Sequence, residues 1–242
     1  MKQHSNTVIA CVSLLIISLV LAHAITNRNK TNNAIIVTGL GKEDFASDLI
    51  VWSGTFSSRN IDLKTAAAQL NHDRESIRRY LQSKGVIEKQ IVFSSAVIEK
   101  EFADSRDKNG TTTQKFTDFH LSQEVQIESP DVDKIDQVSR QITELIDTGI
   151  ELRSEKPEYY YTKLAELKIK MIASATRDAL LRATTIAQNA GCRLGRLRNA
   201  GMGVFQITAQ NSSEDFSWGG AYNTSSRMKT ASITMRMQYE IK

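Results

Sequence analysis

Between positions 161 and 190, small and apolar residues recur at three- and four-residue steps: Leu164, Leu167, Met171, Ile172, Ala175, Ala179, Ala183, Ile186 and Ala187. That spacing is the period of one helix face. A helix over this span is a rod of roughly 45 Å. So many alanines on one side imply close approach to a sheet or another helix, and Gly191 stops the rod.

The second strong pattern has a period of two. Phe119, Leu121, Val125 and Ile127 alternate with polar residues over 118–128, and only Gln123 breaks the apolar side. A strand buried on one face and wet on the other reads this way. Ile233, Met235, Met237, Tyr239 and Ile241 repeat the pattern at the end of the chain. Further strands are expected over 35–38, 49–58, 91–102, near 150–153 and over 197–208. A polar loop around Asn109-Gly110, a hairpin signal, separates the strands over 91–102 and 118–128. A helix follows Asp62, with Leu63, Ala66, Leu70, Ile77 and Leu81 on one face and Gly85 at its end. Another begins at "SPDVDKI", where Ser129 caps and Pro130 fits the first turn. Val132, Ile135, Val138, Ile142, Leu145 and Ile146 form its stripe, up to Gly149. The order ββαββα(β)αββ predicts an α+β fold: mainly antiparallel sheet packed against two or three helices on one face.

"VTGLGKED" raises the question of a phosphate-cradling loop, because Gly39 and Gly41 follow a β-branched run. A dinucleotide fingerprint needs a third spaced glycine opening a helix, and Lys42 lacks the spacing of a phosphate-binding loop. The stretch therefore predicts a hairpin-like turn between two strands.

The charge-poor run over 8–25 is long enough for a secretory leader and marginal for a bilayer span. "AHA" ends in Ala24, a fitting cleavage site, and both outcomes remain open: a cleaved signal peptide or an inner-membrane anchor. Either one exports the remainder to the periplasm. The expected organisation is a leader over 1–25, a polar tether over 26–33 and one domain over 34–242. Net charge is +4, a mild bias towards anionic partners. Cys11 and Cys192 are the only cysteines, so a disulfide scaffold and a multi-cysteine zinc site are excluded.

The strand order resembles the SIMPL domain family of bacterial envelope proteins over 34–242. The "VTG" strand, the turn at Ser47-Asp48 and the late stretch "ATRDALLRATTIAQNAGCRLGRLRNA" carry the likeness. Within that stretch Ala175, Asp178, Ala179, Arg182, Ala183, Ala187, Gly191, Leu194 and Gly195 match. Ser47 stands where many relatives have proline. The resemblance implies an α+β fold, an envelope location, homo-oligomerisation and a loose link to oxidative-stress tolerance. It supplies no catalytic residue.

No catalytic, cofactor-binding or metal-binding set emerges from the residues themselves. His72 and His120 lack a two-histidine metal spacing, and His23 belongs to the leader. Cys192 sits beside Arg193, Arg196 and Arg198, cations that favour a thiolate, so it is a candidate redox thiol against the plainer reading of an idle one. "CRLGRLR" with Lys163, Lys168 and Lys170 is too sparse for nucleic acid and suits anionic lipid or an ordinary solvated surface. Phe216, Trp218 and Tyr222 lie in a Gly/Ser-rich loop and are candidate interface anchors; Tyr159, Tyr160 and Tyr161 suit either an interface or the core. The expectation is an exported, non-enzymatic protein that partners with itself. The alternative is a binding module for a small apolar or anionic ligand held between helices and sheet.

Overall fold

Helix ends show why these residues form these elements. The structure is a computed structural model and describes residues 13–22, 24, 33–106, 112–213 and 217–242. Asp62 accepts from the Thr65 amide (2.9 Å) and hydroxyl (2.7 Å), so α1 (Leu63–Ser83) begins with orphan donors satisfied. Gly85, at φ +85°, turns the chain out of it. α2 (Val132–Gln141) is capped by Asp131, whose carboxylate accepts from the Lys134 amide. The expected cap, Ser129, instead accepts from the Asp131 amide, and Pro130 lies ahead of the helix. The chain then tightens into a 3-10 stretch, Ile142–Thr148, ending at Gly149. That tighter winding carries Ile146 off the buried stripe where it was expected, leaving it exposed.

In α3 (Leu164–Asn189), Leu167, Met171, Ala175, Ala179, Ala183 and Ala187 are buried at steps of four. Such a row forms one ridge inclined to the helix axis. Ile186 falls off that ridge and is exposed, contrary to expectation.

The anticipated turn at "GLGKED" is not there. β1 (Ala34–Ala46) runs straight through both glycines, and the turn comes at Ser47–Asp48. Nor does β1 form a hairpin with β2 (Leu49–Asn60); it pairs with β10 (Met228–Ile241). Close packing is the reason. A Cβ on Gly39 would stand 2.2 Å from the Ala175 carbonyl oxygen, and one on Gly41 2.5 Å from that of Met171. The glycines clear a path for a helix backbone, which is a demand on a strand as much as on a loop.

Other strands divide differently from expectation. The stretch 91–102 splits into β3 (Ile91–Phe93) and β4 (Val97–Arg106), both antiparallel to β5 (Thr112–Ser129). At the break, buried Gln123 donates its amide to the Ser94 carbonyl (2.6 Å), which explains a polar residue on the apolar side. Much of the expected polar loop after Phe102 is strand, with Arg106 opposite Thr112, and Asn109-Gly110 lies outside the described residues. β6 (Leu152–Ser154) was expected, whereas β7 (Glu158–Tyr160) was not. The strand over 197–208 divides into β8 (Leu194–Met202) and β9 (Gln206–Ala209).

These strands make two sheets. One follows β1-β10-β8, with β9 also on β10; the other follows β3-β5-β2-β6, with β4 on β5 and β7 on β2. Close contacts divide the chain into two units. The first comprises Met1–Lys42, Lys168–Phe205 and Ser232–Lys242, and the second Glu43–Leu167 and Gln206–Ala231. In the first, Val37, Ala179, Ala183, Met237 and Tyr239 form a small core. In the second, Trp52, Phe56, Leu121, Val125 and Ile127 of the sheet pack with Leu70, Ile77, Leu81 and Ile135 of α1 and α2. The fold is α+β, as expected. Residues 13–22 are helical, and among the described residues no helix is long and apolar enough to cross a membrane. Of the rest of the anticipated leader, 1–12, 23 and 25 lie outside the described residues.

Gly39→Ala should lower stability by about 3 kcal/mol, because backbone must move to admit the methyl. Gly201→Ala, in the same unit with nothing within 4 Å of the new carbon, should stay within about 1 kcal/mol. Urea unfolding midpoints of the two variants check this.

Asp73 offers a pH test. It is buried in α1, and burial pushes its carboxyl above the ordinary range, opposed by the Gln69 amide (2.8 Å) and by His72. The ionised form therefore costs the folded state free energy at neutral pH. Asp73→Asn should raise the unfolding midpoint at pH 7. That gain should vanish once pH falls below the unfolded-state value near 3.8, where the native carboxyl is protonated in both states. Midpoints measured across pH 3–7 would show the crossover.

Candidate interaction surface

The loop after β9 is held from beneath by two buried polar side chains. Gln206 donates to the Ser217 carbonyl (2.7 Å) and accepts from the amides of Ser217 (3.2 Å) and Ala221 (2.7 Å). Both flanks of the turn over 217–221 are thus fixed by one amide group. Lys229, 1 % exposed at the start of β10, donates its ammonium to the carbonyls of Ser226 (2.6 Å), Asn223 (2.7 Å) and Tyr159 (2.9 Å). Between them, the Asn223 side chain accepts from the Ser226 amide, and Ile207 exchanges backbone bonds with Ala221 and Asn223. Arg227 pairs with Asp133 of α2, whose carboxyl is held below its ordinary range by that bond.

On this fixed backbone Trp218 is 98 % exposed. Of the three aromatics expected to form an interface, Trp218 stands fully in solvent and Tyr222 half out, while Phe216 lies outside the described residues. Tyr222 leans towards Tyr160, with ring centroids 6.5 Å apart. The tyrosine triplet divides its roles. Tyr159 donates to Asp136 (2.7 Å) and Tyr160 to Glu158 (2.6 Å), while Tyr161 packs on Phe45 at 4.7 Å. Burial first, then Asp136, pushes the Tyr159 phenol up to about 12; the bond to Glu158 first, then burial, does the same for Tyr160. Both phenols stay protonated donors at neutral pH.

The remaining candidates are scattered. His72 is exposed on α1. His120 is half-buried on β5, with Nδ1 3.5 Å from Glu101 and 3.8 Å from Glu99. His23 lies outside the described residues. Cys192 is half-buried, and its thiol donates to the Ala187 carbonyl at 3.4 Å. Two of its expected cationic neighbours are engaged: Arg196 and Arg198 both bind Glu240, at 3.3 and 3.1 Å. Those bonds, Arg198 first, hold the Glu240 carboxyl below its ordinary range. Lys168 lies over the Phe205 ring.

The outer face of the second sheet carries two open hollows. One, of about 270 Å³, is lined by Thr55, Ser57, Arg59, His120, Ser122, Glu151 and Arg153. The other, of about 530 Å³, is lined mainly by Ser53, Glu124, Gln126, Glu155, Lys156 and Glu158. Among the described residues no three potential metal ligands gather to hold an ion.

The buried supports, Gln206 and Lys229, were invisible to pattern reading. Both sit where a polar residue next to a loop looks solvated. A family model described as SIMPL, "Protein of unknown function (DUF541)", matches residues 35–240. No curated protein matches the chain.

Replacing Gln206 by Met should unfasten the turn without emptying the space. Amides over 217–221 should exchange with solvent about tenfold faster or more, the cost of losing one buried bonding group. Unchanged exchange there would show that Gln206 does not hold the loop.

Proposed function

The chain belongs to the SIMPL family, and from that premise we propose that it acts at the cell envelope as an exported, non-catalytic protein whose copies associate through the Trp218 loop. The observation that carries this reading is the pairing of a fully exposed indole with a backbone anchored by Gln206 and Lys229. Ordering a loop costs conformational entropy. A rigid exposed tryptophan meets a partner with little further cost, which is why such residues dominate interface energetics. The apolar run over 8–25, followed by a polar tether, supports export, with retention in the inner membrane where it stays uncleaved. A part in oxidative-stress tolerance follows from the family likeness alone.

The alternative is a small-ligand module, expected to seat its ligand between helices and sheet; the hollow at Arg59, His120 and Arg153 lies instead on the outer face of the sheet. Glu101 and Glu155 already occupy the two guanidiniums, at 3.3 and 2.9 Å, which favours the first reading.

Sedimentation of the purified protein should give a mass above one chain. Trp218→Ser should weaken association about thirtyfold, a hot-spot loss of ~2 kcal/mol, with the unfolding midpoint unchanged. A monomer at high concentration would contradict the reading.

A further inference from the structure

Beyond the end of β2 the second sheet narrows to two strands. β2 pairs with β5 as far as Asn60 opposite Phe119, while β4 follows β5 out to Arg106 opposite Thr112. From Thr112 to Asp118, β4 is the one strand neighbour of β5 among the described residues. A two-stranded ribbon is marginally stable in water by itself. This one carries an aromatic row: Phe102 lies edge-on to Phe116 (6.0 Å), and Phe116 to Phe119 (5.1 Å). Phe102 is 53 % exposed.

The outer edge of β4 is also open. Among the described strands it pairs with β5 alone, so one row of its backbone donors and acceptors faces away from the sheet. The bulge in this ladder falls on β5, where Thr117 is the extra residue, so β4 itself alternates without a break. Ile98, Lys100, Phe102 and Asp104 therefore share one face, and Val97, Glu99, Glu101 and Ala103 the other.

Charge decides what adds to such an edge. An antiparallel second copy of β4 must keep the faces matched, so it slips in steps of two residues. A pair centred on Phe102 sets the two Phe102 rings opposite one another and each Lys100 opposite an Asp104, with Glu101 facing Ala103 and Glu99 facing Ser105. One slip sets Glu101 against Glu101, and the opposite slip sets each Phe102 against Asp104. Further slips bring Glu99 onto Glu101 or Asp104 onto Asp104. Opposite charges across strands stabilise a pair and like charges destabilise it, so β4 complements itself in one register. A foreign peptide would use the same backbone edge, but it does not require a strand that complements itself.

We propose that the outer edge of β4 pairs antiparallel with β4 of a second copy, with Phe102 on the two-fold axis and a Lys100–Asp104 pair on each side of it. The inference rests on the self-association reading but not on the Trp218 loop, and two separate contact surfaces allow assembly past a dimer. Within one copy Lys100 and Asp104 lie four strand residues apart, about 13 Å, too far to pair. Both are exposed, so exchanging their charges tests the second copy.

Sedimentation of the full chain in a Trp218→Ser background isolates this edge, and that parent should still form dimers. Lys100→Asp alone and Asp104→Lys alone should each weaken the dimer roughly tenfold, because each sets like charges opposite at two places. An equimolar mixture of the two variants should regain it, since every facing pair is then opposite in sign, and that recovery shows both variants folded. The double variant should regain it as well. Single variants that associate like the parent would overturn the proposal, as would a mixture no better than either alone. A monomeric parent, where the native chain associates, would overturn it and leave the loop reading standing. A native chain that is monomeric at high concentration would overturn both. Association indifferent to Trp218→Ser but weakened in the single variants would sink the loop reading and leave this one standing.

Discussion

A buried ammonium is the interaction on which the loop surface depends. Lys229 has three N–H donors, and three backbone carbonyls from Tyr159, Asn223 and Ser226 receive them. Taking a cation out of water costs several kcal/mol unless its donors are met. That condition makes the arrangement cooperative: the start of β10, the end of the loop and β7 must be in place together. The Thr224 carbonyl, which accepts from the Tyr159 amide (2.7 Å), then lies between two fixed points. Trp218 stands exposed further back along the loop, on the turn whose flanks, Ser217 and Ala221, are held by Gln206.

In the other unit the controlling constraint is steric. Glycine at 39 and 41 and alanine at 175 and 179 bring β1 and α3 backbone to backbone, too close for even a methyl group between them. The sequence pattern announced one half of this contact: the alanine row of α3 demanded a close neighbour. It misassigned the other half, because a glycine needed for proximity and a glycine needed for a turn are the same letter. The same ambiguity divides Gly203 from Gly85. A Cβ on Gly203 would meet Thr234, whereas Gly85 takes the left-handed conformation that ends α1.

What pattern reading captured was periodicity and capping: α1 with its Asp62 cap, the alternation of β5, the span of α3, the glycine stops. What it missed depended on partners distant in the chain. Gln123 on the apolar side of β5 made sense only once Ser94 lay beside it. The division into two sheets followed from β1 choosing β10 across nearly the whole chain, a pairing that local signals do not encode. Trp218, by contrast, could be nominated from composition alone, since an aromatic in a Gly/Ser-rich loop has few apolar neighbours to hide among. Its supports, Gln206 and Lys229, could not.

The two units differ in what they offer. The second carries the fixed loop and the open polar sheet face; the first carries α3 with its exposed aliphatic groups. The most direct test of the central claim is fluorescence quenching by acrylamide in a Trp52→Phe background, which leaves Trp218 as the remaining emitter because Trp52 is the other tryptophan and is fully buried. If the held-out indole is an interface anchor, Trp218 should be open to quencher at low protein concentration and become shielded as the chain associates. Full accessibility in the assembled protein would contradict the account.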